Sequence, residues 1–368
     1  MSNEWIEISA KTVDDAITEG LVRLGTTTDK MDVEVLEKES SGFLGFIGKH
    51  DAKIRVRFKE VKESKPISMP QKKEVRQERP ATVKAHTEAK SENKPVYFDI
   101  DDLVFDTVYT DQLSYTQGLS EKEKGNYDAG VRNYGKMLAA CDGAITSTNQ
   151  LKEELLKYQD IVLLNRNLAS SELMEVSSCF IKDYNQQSQQ VKIGYFSGSI
   201  SHNENFELIK PALKKLLEAY PFIELHIVGH LDIPTDMKVY EQQIIVHDYV
   251  DWKTLPQLIS QVDINLAPLV DSIFNRAKSE IKWLEAAMVK VPTIASDIGA
   301  FADMVIDGQT GLLAKENEWK EKLDSLIFSA ELRQKLAENA YHFVLENCSL
   351  DNKDEMVTYF EKNKNNKS

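Results

Sequence analysis

Cysteine is scarce in this chain: of 368 residues only Cys141, Cys179 and Cys348 are cysteines, far apart and without a CxxC pair. That spacing excludes a disulfide framework and a cysteine-based zinc site, and it fits a reducing, cytoplasmic compartment. Positive charge is also short, with 45 Lys and Arg against 59 Asp and Glu and a formal net charge of −14. A protein organised around nucleic-acid phosphate is thereby disfavoured, because nonspecific affinity of that kind comes from Lys and Arg neutralising phosphates. No apolar run approaches the roughly 18 residues of a membrane span, and the opening MSNEWIEISA has neither a basic n-region nor an apolar h-region. The expectation is a cytoplasmic protein without a transmembrane segment, at most peripheral at the inner face of the membrane. What is present, 42% hydrophobic residues, suffices for two or three domains with cores of their own.

The most visible boundary is residues 59–94, rich in charge and Pro but nearly free of large apolar residues. Such a segment buries too little surface to offset its ordering entropy and reads as a flexible linker. It is locally basic, so contact with anionic lipid or RNA is its functional alternative. Before it, WIEISA, DVEVLE and AKIRVRF alternate as strands, and TVDDAITEGLVRLG, with Thr12 as N-cap and Gly25 as its end, reads as a helix. Residues 1–58 thus form a small β-α-β-β module, in which SSGFLGFIGKHD either makes a tight connection or exposes Phe43, Leu44 and Phe46 for docking.

From residue 95 strands alternate with helices, the pattern of parallel sheets covered on both faces, with ligand sites at the carboxyl ends of the strands. Division is expected at 95–188 and 189–362. KIGYFSGSISHNENF runs a strand into Gly198 and Ser199, then His202 and a helix, so backbone N–H groups and the positive helix end would face an anion such as a diphosphate. Glycine and serine there for turn geometry alone is the competing reading. Read as one helix, FNRAKSEIKWLEAAM places Lys278, Lys282 and Glu285 on a narrow arc beside an apolar stripe of Ala277, Ile281, Leu284 and Met288. The ammonium groups suit a diphosphate and the carboxylate suits ribose or sugar hydroxyls; the alternative is a surface pair worth a few tenths of a kcal/mol. In FDIDDLVFD, Asp99 and Asp101 invite a phosphatase nucleophile and acid or a metal-chelating DxD, whereas Asp101 and Asp102 at a strand end suit an acceptor-side wall.

Two resemblances extend this reading. KTVDDAI, VEVLE and GFLGFIGKHDAKIRV resemble the Jag N-terminal domain of bacterial RNA-binding proteins, but no GXXG KH loop follows, so RNA binding is not inherited with the module. GYFSGSISHNENF, HIVG, HDYVDWKTLPQLISQVDINLAPL and FNRAKSEIKWLEAAMVKVPTIASDIGAFADMVIDGQTGLL, within residues 191–345, resemble the donor half of a retaining GT-B glycosyltransferase of group 1 type. That resemblance implies doubly wound Rossmann domains, a nucleotide-diphosphate sugar donor and no metal or cofactor. It assigns Gly198 and Ser199 to the phosphates, Lys278 to the diphosphate, Glu285 to the ribose, and the Val250 backbone to the base; His202, at the helix start, and Lys282, on the same arc, are counted with them as donor-binding residues. One departure stands out, since the family's first glutamate, eight positions before Glu285, is here Ala277. Residues 95–167 resemble the last third or half of the acceptor domain, so the N-terminal Rossmann domain is truncated.

The function implied is a bacterial GT-B hexosyltransferase passing a sugar to a glycan, a lipid-linked acceptor or a surface polymer, with a protein partner for residues 1–58. The alternatives are a non-catalytic nucleotide-sugar-binding adaptor and an RNA-binding or cell-elongation regulator acting through the Jag-like module.

Overall fold

A computed structural model describes residues 5–10, 31–37, 52–58, 94–184, 190–198, 203–229, 231, 233–350 and 355–365. The helix expected at 12–25, the Gly42–Gly45 turn and nearly all of the 59–94 segment lie outside these residues, as do Ser199 and His202. The chain divides into two compact units, Met1–Glu78 and Arg79–Ser368, and this boundary falls inside the segment read as a linker.

The first unit is an antiparallel sheet in the order β1-β3-β2, from β1 (Ile6–Ala10), β2 (Met31–Glu37) and β3 (Ala52–Phe58). Alternation does the sorting: Ile8, Ile54 and Val56 are buried on one face. On the other, the Trp5 ring lies 4.8 Å from the Arg55 guanidinium and 4.5 Å from that of Arg57. Acids answer the bases of this sheet across the strands, Glu34 on Arg55 at 2.6 Å and Glu37 on Lys53 at 3.7 Å.

The second unit holds two parallel sheets. β4 (Tyr97–Asp99), β5 (Gly143–Thr146) and β6 (Val162–Leu164) pair in sequence order. Helices α1 (Glu121–Ala140) and α2 (Asn149–Leu155) connect them, with Ser120 forming a capping box with Glu123 and Thr148 capping α2. Helix α3 (Ser171–Ser178), in a stretch that reads as irregular in the sequence, leads to the larger sheet.

That sheet contains β7 (Val191–Ser197), β8 (Ile223–Gly229), β9 (Ile244–His247), β10 (Ile264–Ala267), β11 (Thr293–Ser296) and β12 (Leu312–Ala314) in the order β12-β11-β10-β7-β8-β9. From β7 the chain winds first to β8 and β9, then returns to β10 on the other side. This is the doubly wound arrangement, with its switch point between β7 and β10. The central strands β10 and β11 are buried at every position, Asn265 included, whereas the edge strand β9 leaves Ile245 and Val246 exposed.

Helix α4 (Asn203–Ala219) lays Phe206, Ile209, Leu213 and Leu216 onto Ile193, Leu225 and Ile227. After α5 (Leu255–Ser260) come α6 (Ile273–Arg276), α7 (Ile281–Met288) and α8 (Gly299–Met304). Helices α9 (Trp319–Ile327) and α10 (Ala330–Asn347) complete the cover, and α11 (Glu355–Asn365) returns to the small sheet. There Tyr97 meets Tyr359 and Phe360 edge-on, and Lys152 pairs with Glu355 at 2.5 Å.

The expected α/β architecture is present, a doubly wound sheet with a smaller parallel sheet before it and a small β module at the start. One element differs. The helix read through residues 274–288 is two helices, α6 and α7, with residues 277–280 between them. A continuous helix would give the Ala277 carbonyl to the amide four residues on. Here the Thr148 hydroxyl from the small-sheet half takes that carbonyl at 3.1 Å, and Glu280 becomes the N-cap of α7. The apolar stripe divides with it: Ala277 packs with Phe98, Ile100 and Leu103, while Leu284 and Met288 join the core around Trp283.

Candidate active site at the cleft between the two parallel sheets

The site is built at the switch point, where the carboxyl ends of β7 and β10 lie side by side. The chain leaving β10 is pinned by Ser296, whose hydroxyl donates to the Leu269 carbonyl and accepts from the Leu269 amide, at 2.9 and 2.8 Å. Asn205, buried in the first turn of α4, accepts from the Val270 amide at 2.9 Å and from the Asn275 side-chain amide at 3.2 Å. The helix that follows the glycine elbow is thereby tied to the segment carrying the lysines.

Gly198 ends β7 in the open. A Cβ there would meet nothing within 4 Å among the described residues, so their packing does not demand glycine at this position. Gly229, at the end of β8, is the opposite case: its φ is +89° and a Cβ would sit 2.0 Å from the Ser197 carbonyl oxygen. Tyr249 closes over this point, and Val250 packs partly buried against the cluster of Phe196 and Val228.

A cavity of about 220 Å³ lies between the halves, lined by Asp101 and Asp102 on one wall, Lys278, Ser279 and Lys282 on the other, and the 267–269 segment and Phe301. Four of the residues singled out in the sequence therefore share one chamber; Gly198, Val250 and Glu285 are not part of its lining. Lys278 lies in the break between α6 and α7 rather than on a helical arc with Lys282, and its Nζ is 3.0 Å from Asp102 Oδ1 and 4.7 Å from the Phe274 ring. The Ser147 hydroxyl donates to Asp101, which raises the pKa of neighbouring Asp99 in addition to the larger effect of burial.

Lys282 and Glu285 face the interior more than a surface pair would. Loss of water around Lys282 lowers its pKa to about 8, opposed by Glu285 and reinforced by Lys278. Its ammonium sits 5.5 Å from the centre of the Tyr195 ring on β7, and its backbone carbonyl is held by the Asn265 side chain at 3.1 Å. Burial raises Glu285 to about 7, with Lys282 pulling the other way.

A second polar cluster, not singled out in the sequence, joins the halves. Glu280 is 1% exposed and lies 3.6 Å from Arg166, which also reaches Asp303 at 3.6 Å; the Asn149 side chain donates to Asp303 at 2.8 Å. Burial raises the Glu280 pKa, and among the described residues Glu280 Oε2 and Arg166 Nη1 have no hydrogen-bond partner. The signal was faint: an acid and a base over a hundred residues apart in sequence meet only once the two sheets face each other. Among the described residues no group of three or more His, Cys, Asp or Glu is placed to hold a metal ion, and no helix is long and apolar enough to cross a membrane.

Comparison with known proteins bears on the two segments and on the fold. Residues 8–58 match the family described as Jag N-terminus, and residues 191–328 match Glycosyl transferases group 1. The RNA-binding protein KhpB of Clostridium symbiosum is 45% identical over 64 residues, 17% of this chain and 28% of that protein. An uncharacterized glycosyltransferase of Methanocaldococcus jannaschii is 41% identical over 63 residues, 16% of this chain and 18% of its own length. The chain thus spans under a third of the length of the curated relatives it matches.

Among solved structures, a glycosyltransferase from Rickettsia africae superposes with a TM-score of 0.51 at 15% identity, covering 77% of this chain and 73% of that one. Anabaena HepE in complex with UDP-glucose gives 0.50 at 13% identity, with 76% of each chain covered. These likenesses establish the fold. The chain joins a segment that matches the Jag N-terminus family to one that matches glycosyl transferases group 1, and its second unit has a GT-B fold.

Proposed function

We propose that this protein transfers a hexose from a nucleotide-diphosphate sugar to a hydroxyl of a glycan or other surface-polymer acceptor, with retention at the anomeric carbon. The observation that carries the proposal is the chamber at the switch point, where Lys278 and Lys282 face Asp101 and Asp102 across the cleft. The elbow at Gly198 and the two ammonium groups would balance the charge that grows on the diphosphate as it leaves. Glu285, once ionised, would accept from the ribose hydroxyls. The Asp101 and Asp102 wall would receive the acceptor, and the chain's contribution is chiefly positioning and charge. No cofactor is assigned. The shared fold makes the UDP-glucose of HepE a reason to try UDP-sugars first.

Calorimetric titration of UDP- and GDP-sugars, followed by an assay of slow donor hydrolysis, tests this. The expected result is binding of one donor class with measurable hydrolysis, and no binding of any donor contradicts it. A second reading, a nucleotide-sugar-binding adaptor, is favoured by the small sheet having three strands, β4, β5 and β6, a short acceptor wall. Binding without turnover for every acceptor tried would select it. RNA binding through the first unit draws little support from a sheet whose Arg55 and Lys53 are answered by acids. A protein partner for residues 1–58 remains part of the proposal.

A further inference from the structure

Lys278, assigned above to the donor's diphosphate, is already engaged: its Nζ lies 3.0 Å from Asp102 Oδ1, and both side chains are open to solvent, 28% and 48% exposed. The pair crosses the cleft, but it is not what joins the two halves. Thr148 to the Ala277 carbonyl, Asn149 to Asp303 and Arg166 to Glu280 cross as well, and none of these groups lines the chamber. Other contacts thus hold the halves together, while Asp102 places an anion on the ammonium assigned to the proposed donor. A carboxylate and a diphosphate offered to one ammonium compete for it, and the diphosphate carries the greater charge.

We propose that Asp102 is a built-in counter-ion that occupies Lys278 in the empty cleft and yields it to the diphosphate of the incoming donor. The proposal rests on the cleft being a nucleotide-sugar site. It assigns Asp102 a cost in donor affinity, so its removal should strengthen binding, the reverse of what loss of a ligand-contacting group does. The exposure of the pair limits the effect, since exposed ion pairs correspond to roughly a two- to five-fold change in an equilibrium constant.

The test is titration of UDP and GDP into the full chain, native and Asp102→Asn, repeated in the Lys278→Gln background. The expected result is a two- to five-fold gain in affinity for Asp102→Asn at low salt, shrinking as salt screens the pair, and no gain when Lys278 is already replaced. Asp102→Glu, which can still reach the ammonium, should remain near the native value. Equal or weaker binding by Asp102→Asn overturns the proposal, as does a gain that persists without Lys278. If the native chain binds neither nucleotide, the site reading itself is lost and the proposal with it; binding without the gain removes the proposal alone. A thermal melt of Asp102→Asn matching the native chain accompanies the expected result, because no other crossing contact depends on that carboxylate.

Discussion

Two glycines at adjacent strand ends differ in what packing asks of them. Gly198 has open space where a side chain would be, so Gly198→Ala is expected to leave unfolding stability within about 0.5 kcal/mol of native while weakening donor binding. Gly229→Ala forces a Cβ onto the Ser197 carbonyl at a positive φ and should cost about 1–3 kcal/mol in denaturant unfolding. If Gly198→Ala binds donor like the native chain, the elbow is a turn and nothing more.

Glu285 gives a second test at this scale, through pH. Its folded pKa, about 7, lies above its ordinary value of 4.5, so between those values the native state binds more protons than the unfolded one. Stability contributed by this group is therefore lost as pH rises from about 4.5 to 7. Glu285→Gln, which does not titrate, should melt progressively higher relative to native as pH is raised from 5 to 8, while losing donor affinity. Melting curves whose difference does not change with pH would contradict the burial argument.

At the scale of elements, the clamp of Arg166 on Glu280 joins the end of the small sheet to the start of α7. Arg166→Met leaves a carboxyl that is 1% exposed without its cation. Because Glu280 can take up a proton, the expected cost is about 1–3 kcal/mol near neutrality, growing with pH, rather than the larger penalty of a stranded charge. Urea unfolding at pH 6 and pH 8 measures it, and a difference that does not change between the two would contradict this expectation.

Much at this scale was legible beforehand. IELHIVG and VKIGYFS are strands as read, because short, mainly apolar segments of seven residues with β-branched Ile and Val are too short for a typical helix. The break at 277–280 was not legible, since the hydroxyl that ends α6 belongs to Thr148, on another sheet. Helix α3 was missed because eight residues with a single buried position, Ser177, carry little periodicity. Lys282, Lys278, Asp101 and Asp102 were each visible as residues, but only the fold brings them into one chamber, and nothing local tells Lys278 that Asp102 lies opposite.

On the scale of the whole molecule, the chain carries a net charge of −14, yet two lysines face the chamber at the switch point of its larger sheet. Two cations at the chamber of an otherwise anionic protein are what the proposed diphosphate site would need. The small sheet, with three strands, supplies the facing wall through Asp101 and Asp102. The measurement that bears most directly on this account is a crystal structure of the full chain with UDP or GDP bound. The account predicts the β-phosphate between the Gly198 backbone and the Lys278 and Lys282 ammonium groups, with Asp102 released from Lys278. A nucleotide bound elsewhere, with the ion pair of Lys278 and Asp102 intact, would contradict it.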